Sequence, residues 1–456
     1  MLKNTVLRTL TLLFMAAIFF IACEKPNPNF QQDAANPEFM HHSMQSLTEV
    51  IKHDLFPPMI ASRIYGYAHI AAYEALNPNG QGPPDGLGTS PYQSLAGQIK
   101  GFPEMPKPET GKEYCFPLAA VKAYMRVGKK LTFGEDILDA EIAKIMADFK
   151  AIKMPKDVFE RSLAYGDTIG GAVIKWSSKD NYLQMRSMPK YTVTYNNSAR
   201  WLPTAPDYAD GLEPCWNKLR PLTLDSASQF KPIPPPKFDT TKGSVFYKNA
   251  YETYKTVADS TPERIATAWY WDDNPNATMN SGHVNIARKK ISPGGHWLWI
   301  TMYTCRQQKT DIYASTAAYM QVAVGLFDAF VSCWDEKYRS EVVRPETYIT
   351  RYIAPSWLPI INTPPFPEYT SGHACMSGSS STILGQIFGN NIAFTDSTEV
   401  QFGIAPRSFP SFKEAANQAA FSRMYAGIHY RPACEVGLTQ GQAIAKHVLT
   451  KLKLKK

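Results

Sequence analysis

The sequence predicts an all-α protein made of two packed helical bundles. Three observations carry this. Apolar residues recur at helical spacing along most of the chain. Thirty-five prolines against 27 glycines, without a repeat, break those stretches into separate helices joined by loops. Twenty-four tyrosines and 23 phenylalanines supply the bulk for a large interior. At 456 residues, 44% apolar and 19% charged, the chain excludes a disordered class, and no period of 20–50 residues marks a repeat array.

The first element reads as an address. Lys3 and Arg8 precede an uncharged apolar run that ends Phe20-Ile21-Ala22-Cys23. The run is short for a membrane span, and its end resembles a bacterial lipoprotein signal. That resemblance implies removal of residues 1–22, lipidation of Cys23, and an exported lipoprotein attached to the cell envelope through its lipid. Residues 23–45 read as a tether, 46–243 as an N-terminal helical part and 244–456 as a C-terminal part carrying the motifs below. Export permits disulfides, but the six remaining cysteines form no CxxC pair and read as small buried hydrophobes.

Helices are expected over 44–54, 58–77, 115–131, 135–151, 155–178, 244–257, 261–271, 284–291, 309–342, 372–388, 411–426 and 434–453. Pro262 after Thr261 has the look of a first-turn proline after a hydroxyl cap. Thr316–Cys333 is apolar but carries Gln321 and Asp328, so it reads as a buried core helix and not a span. Residues 180–243 read as an irregular excursion, with a strand-like alternation at 191–195 and an extended proline run at 234–236. Lys+Arg exceed Asp+Glu by 48 to 40. No basic stripe is interleaved with aromatics, so nucleic acid is not an expected partner.

Three clusters in the C-terminal part carry chemistry. Lys337 and Arg344 lie seven apart, nearly on one helical face, and Pro345 disfavours helix at Arg344. Alone, the pair also fits a solvated helix end. Next, the proline-rich run 364–367 leads to Ser371-Gly372-His373, where a serine cap, a bare glycine N–H and a helix N-terminus offer an anion site. An ordinary capped helix with an incidental histidine reads equally well there. Last, Arg423 and His429 cannot share a face of one straight helix, and Gly427 offers a break that brings His429 round. Together the clusters offer three cations, a hydroxyl, a backbone N–H and two imidazoles. That set suits a tetrahedral oxyanion of two or more charges. Carboxylates are too few for a hard-cation site and histidines too few for a three-histidine zinc site.

The order Lys-x6-Arg-Pro, Ser-Gly-His, Ser-Arg-x5-His resembles the superfamily of type-2 phosphatidic acid phosphatases, bacterial acid phosphatases and vanadium-dependent haloperoxidases. Nine specified residues match. Two depart from the phosphatase pattern: Thr370 stands where a proline precedes Ser-Gly-His, and Ala433 stands where an aspartate follows the last histidine by four.

The resemblance implies one pocket with two possible chemistries, since vanadate mimics the phosphoryl-transfer transition state. As a peroxidase, the protein would use hydrogen peroxide to oxidise halide to a hypohalous species. His429 would be the axial vanadium ligand. Lys337, Arg344, Ser371, Gly372 and Arg423 would hold the vanadate oxygens, and His373 would be the acid–base group. As an acid phosphatase, it would attack a phosphate ester with His429 while His373 protonates the leaving oxygen, and phosphate would occupy the same site. A third class is a non-catalytic surface lipoprotein that binds oxyanions or glycans. Trp334 and Phe366 resemble the halide side of the pocket in the chloroperoxidase-like branch, though both also read as core aromatics. Trp269-Tyr-Trp271-Asp272-Asp273 resembles the segment whose aspartate supports the acid–base histidine, with Asp273 or Asp272 in that role. Phe56-Pro-Pro through Glu74 resembles a first-bundle helix of bacterial homologues. His53, His69, His283, His296 and His447 read as packing or surface residues.

Overall fold

Caps set where most helices begin. Ser244, Thr261, Ser292, Asp311, Ser371 and Ser411 each accept a backbone N–H of the following first turn, satisfying a donor the helix cannot. Proline occupies the first turn at residues 262, 293 and 345, where its missing N–H costs nothing. The computed structural model describes residues 25–78, 92–275, 277–281 and 284–455, with 277–281 and 284–288 described by backbone alone. The expected signal segment, Cys23 and His283 lie outside the described residues.

The first bundle comprises α1 (Phe30–Ala34), α2 (Glu38–His53), α3 (Pro58–Leu76), α4 (Phe116–Leu131), α5 (Glu135–Ala151) and α6 (Lys156–Ser177), with α3, α4 and α6 at its centre. A four-residue helix, α7 (Tyr182–Met185), follows, and then the excursion. The second part begins with α8 (Val245–Ala258) and α9 (Pro262–Tyr270). A hairpin comes next, formed by β1 (Ala277–Ser281) and β2 (Val284–Arg288). The chain continues through α10 (Pro293–Gln308), α11 (Ile312–Ser340), α12 (Pro345–Tyr352) and α13 (Gly372–Phe388). A second hairpin of β3 (Phe394–Asp396) and β4 (Arg407–Phe409) precedes α14 (Phe412–Tyr425) and α15 (Arg431–Lys451).

The 29-residue α11 joins the halves, packing on α3 of one bundle and on α13 and α15 of the other. One apolar core therefore runs through both bundles. By length and composition α11 could cross a membrane, but its apolar stretch is wholly buried inside the protein.

Three expectations need correction. The part of the expected tether within the described residues is folded: Phe30, Ala34, Met40 and Met44 are buried, so α1 and α2 belong to the core. Residues 284–288 form strand β2 and not a helix. That run is too short for helical periodicity to decide, and pairing with β1 settles it. Residues 191–195 form no strand; the ladder contact nearby is an isolated bridge of Arg200 with Val342.

Helices α13 and α15 approach closely because glycine lies at their contact. A Cβ on Gly441 would collide with the Cys375 carbonyl oxygen and the Ser379 nitrogen. Gly441→Ala is expected to cost about 1–3 kcal/mol by overpacking. The thermal unfolding midpoint reads this directly, and an unchanged midpoint would contradict so close a contact. The same contact holds α13, the helix that begins Gly372-His373, against α15.

Candidate active site

Each cluster arrives on a different element. Lys337 lies in the last turn of α11. Arg344 lies beyond that helix in extended conformation (φ −73°, ψ 153°), capping α12 as Pro345 requires. The two cations therefore do not share a helix face; the turn between α11 and α12 brings them together. Ser371 caps α13, its Oγ accepting the Ala374 N–H at 3.4 Å. Arg423 comes from the last turn of α14. Gly427, at φ 83°, takes the left-handed turn that ends α14 and brings His429 back over the pocket.

A cavity of about 200 Å³ lies where these elements meet. Gly372, His373, Arg423 and His429 line one side, and Trp334 and Phe366 another. The excursion closes its outer wall through Asp207, Ala209 and Leu212. Leu212 is anchored there because its carbonyl accepts from Trp334 Nε1 at 3.2 Å and from the Tyr338 hydroxyl at 2.6 Å. Trp334 and Phe366 pack with ring centroids 5.0 Å apart. The Lys337 ammonium lies 5.6 Å from the Trp334 ring and 5.1 Å from the Phe366 ring.

Lys337, Arg344 and Ser371 stand behind the cavity wall. Lys337 Nζ donates to the carbonyls of Pro367 (2.9 Å), Glu368 (3.1 Å) and Thr370 (2.5 Å), tying the proline-rich run to α11. Burial and the nearby Arg344 charge push the Lys337 ammonium down to about 8. Arg344 donates from Nε to the Phe366 carbonyl (2.9 Å) and from Nη1 to the Ile428 carbonyl (2.8 Å). The same Nη1 lies 3.1 Å from His429 Nε2. Burial lowers the Arg344 guanidinium to about 10, still charged at neutral pH.

A residue the sequence did not single out organises His429. The buried Glu368 carboxylate lies 2.8 Å from His429 Nδ1 and accepts the Tyr430 N–H at 2.9 Å. Nδ1–H donation to that carboxylate turns the Nε2 lone pair toward Arg344 and the cavity. Burial holds His429 well below the ordinary imidazole range, and Arg344, Lys337 and Arg423 reinforce this. Burial raises Glu368 to about 7, against the pull of Arg344. The aspartate missing at Ala433 is thus replaced by a carboxylate 61 residues upstream of His429. The only sequence signal was a glutamate directly after the proline-rich run.

The two candidate aspartates divide their work. Asp273 Oδ2 lies 3.7 Å from His373 Nε2. Asp272 lies 4.0 Å from both Arg423 Nη2 and Lys290 Nζ. The Trp271 carbonyl accepts from Arg423 Nη1 at 2.7 Å, and His373 hydrogen bonds the same backbone. Burial lowers His373 well below the imidazole range, with Arg423 next in effect.

Arg344 Nη2, Arg423 Nε and His373 Nε2 are buried without a hydrogen-bond partner. Unmatched nitrogens on His373 and Arg423, which line the cavity, and on Arg344 behind its wall fit a compact oxyanion such as vanadate or phosphate. If Lys337 serves it, affinity should fall as the ammonium loses its proton. Titrating sulfate, whose own charge is constant over this range, should show affinity weakening as pH rises through 8, a step that Lys337→Met removes while any step near 7 from Glu368 remains. Constant affinity to pH 10 would take Lys337 out of the anion site. All six described cysteines are free, five of them buried.

The model of the VCPO second helical-bundle domain matches residues 317–455. The crystal structure of the first bacterial vanadium-dependent iodoperoxidase superposes with a TM-score of 0.85 at 43% identity, over 92% of this chain and 98% of that one. The holo form of a bacterial vanadium-dependent chloroperoxidase superposes at 0.65 with 16% identity, over 88% of this chain and 94% of that one. Its apo form does so at 0.64 with 15% identity, over 87% and 96%; both share the fold. No curated protein matches the chain. With an all-α fold and 43% identity to the iodoperoxidase across nearly its whole length, the chain belongs to the vanadium-dependent haloperoxidase family.

Proposed function

We propose that the protein binds vanadate in this pocket and uses hydrogen peroxide to oxidise halide, iodide or bromide before chloride, to a hypohalous species. The observation that carries the reading is the orientation of His429: Glu368 takes Nδ1, leaving Nε2 to face the cavity and the cations. His429 would hold the metal through Nε2. Arg423, Arg344, Gly372, Ser371 and Lys337 would hold its oxygens, with Lys337 giving up a carbonyl to do so. Vanadate, when bound, supplies the Lewis acidity that activates peroxide. His373, kept neutral and aimed by Asp273, accepts and returns the peroxide proton. Trp334 and Phe366 give the halide an apolar wall next to the Lys337 charge. The iodoperoxidase similarity supports placing iodide first.

A second reading, acid phosphatase, rests on the same carboxylate: Glu368 would orient His429 equally well for attack on phosphorus. Parallel assays separate the two. Vanadate-loaded protein should iodinate an activated phenol with peroxide and should cleave p-nitrophenyl phosphate poorly. Trp334→Ala and Phe366→Ala should lower halide oxidation more than ester cleavage. Strong ester cleavage without vanadate-dependent halogenation would reverse the ranking. Tight oxyanion binding without either activity would favour a binding protein. We also propose export and tethering through a lipidated Cys23. Mass analysis should find an acylated Cys23 at the mature N-terminus, and retention of residues 1–22 would contradict it.

A further inference from the structure

Behind His373 lies a second buried cluster that the oxyanion pocket does not use. His296, in the first turn of α10, is fully buried. Its Nδ1 lies 2.8 Å from Asp273 Oδ1 and its Nε2 lies 2.7 Å from Asp396 Oδ2. Asp396, in β3, also accepts from the Tyr270 hydroxyl at 2.7 Å and from the Thr398 N–H and hydroxyl at 2.9 and 2.6 Å. The Trp271 indole stacks on the His296 ring, centroids 4.6 Å apart and planes 21° from parallel.

A neutral imidazole has one N–H, whereas two carboxylates facing its two nitrogens call for two donors. Only the imidazolium supplies both, and an indole face favours the cation. Burial opposes this charge, but Asp273 and Asp396 outweigh it and hold His296 protonated well above the ordinary range. The remaining charged groups around the ring are Glu399, Lys290 at 3.5 Å from Glu399, and Asp272 and Arg423 beyond. Burial and Asp273 raise Glu399 to about 8, so it adds little negative charge at neutral pH.

Building on the acid–base role given to His373, we propose that His296 is a positioning residue: clamped between Asp273 and Asp396, it fixes one oxygen of Asp273 and leaves the other facing His373. The clamp also sets what His373 sees. Beside a bare carboxylate His373 would hold a proton more tightly; an aspartate already matched by an imidazolium adds to the burial and the Arg423 charge that keep it neutral and able to take a proton. A metal ion is the competing account, since Asp273, His296 and Glu399 bring ligand-type atoms within 4.8 Å of one another. Against it, both ring nitrogens already face carboxylates, and Lys290 supplies a positive charge.

Nitrogen-15 NMR of histidine-labelled full-length protein tests the clamp without turnover. Both His296 ring nitrogens should show protonated shifts from pH 6 to 8. A neutral tautomer in that range would overturn the proposal. So would a stoichiometric divalent metal that is lost on His296→Gln. Functionally, His296→Gln should leave vanadate affinity within about threefold and move the acid limb of the pH–rate profile up by about one unit, a tenfold change in proton affinity at His373. A superimposable profile would overturn it. Should His296→Gln fail to fold, Asp396→Asn keeps the ring but removes the second carboxylate that calls for an imidazolium, so the His296 nitrogen shifts should move to the neutral form at a lower pH than in the wild-type protein; an imidazolium as persistent as the wild type's counts equally against the clamp. The nitrogen shifts are read whether or not the protein oxidises halide, so failure of the peroxidase reading and failure of the clamp are distinguishable.

Discussion

Lys337→Ala is expected to weaken vanadate binding by roughly 2–5 kcal/mol, the usual cost of truncating one member of a buried charge cluster. On the scale of 1.4 kcal/mol per decade, that is a rise in dissociation constant of roughly 30-fold to several thousandfold. The residue has two jobs. Its charge, with those of Arg344 and Arg423, offsets the charge of the guest. Its three N–H groups also tie the carbonyls of Pro367, Glu368 and Thr370 to α11. Truncation leaves those acceptors unpaired, at about 1–3 kcal/mol for each that water cannot reach. The thermal midpoint should therefore fall along with affinity. Lys337→Met keeps most of the side-chain volume but neither the charge nor the donors, so it should lose affinity to a similar extent. Vanadate titration of the folded variants measures this, and a change below threefold in both would contradict the assignment of Lys337 to the oxyanion.

Glu368→Ala is expected to lower vanadate affinity or halide turnover by about 10–100-fold, the usual effect of removing the partner that orients a metal-binding histidine. Without the carboxylate, His429 Nδ1–H and Tyr430 N–H lose a shared acceptor, and the ring is free to flip or to change tautomer. Glu368→Gln keeps an oxygen for both donors and should retain more function than the alanine variant. That ordering separates orientation from simple loss of charge, because both variants remove the charge. Equal loss in the two would assign the effect to charge; no loss in either would remove Glu368 from the site.

Much of the second bundle was legible because its signals are local. Ser371 capping α13 at Gly372–Phe388, and Thr261 capping α9, need only a hydroxyl and the turn that follows. The nine-residue motif was legible because its spacing is fixed within each segment. What escaped depends on distance. Glu368 reaches His429 across 61 residues. His296 sits between carboxylates 23 residues before it and 100 after it. Its helix, α10, also escaped notice, although Ser292-Pro293 repeats the cap seen at Thr261-Pro262. Helix α10 packs on α11, α13, β3 and the first bundle at once and buries residues on several faces, so no amphipathic stripe marks it. Helix α1 and the start of α2, ahead of the expected helix over 44–54, escaped for another reason: the prolines and asparagines around them resemble a linker, and only packing against the core reveals otherwise.

Vanadate held through His429 is the central requirement of the proposed chemistry. Purified protein soaked in vanadate, desalted and analysed for metal is expected to retain one vanadium per chain, to give it up to excess phosphate, and to retain none as His429→Ala. Wild-type protein that keeps no vanadium under those conditions, or a His429→Ala variant that keeps as much, would contradict it.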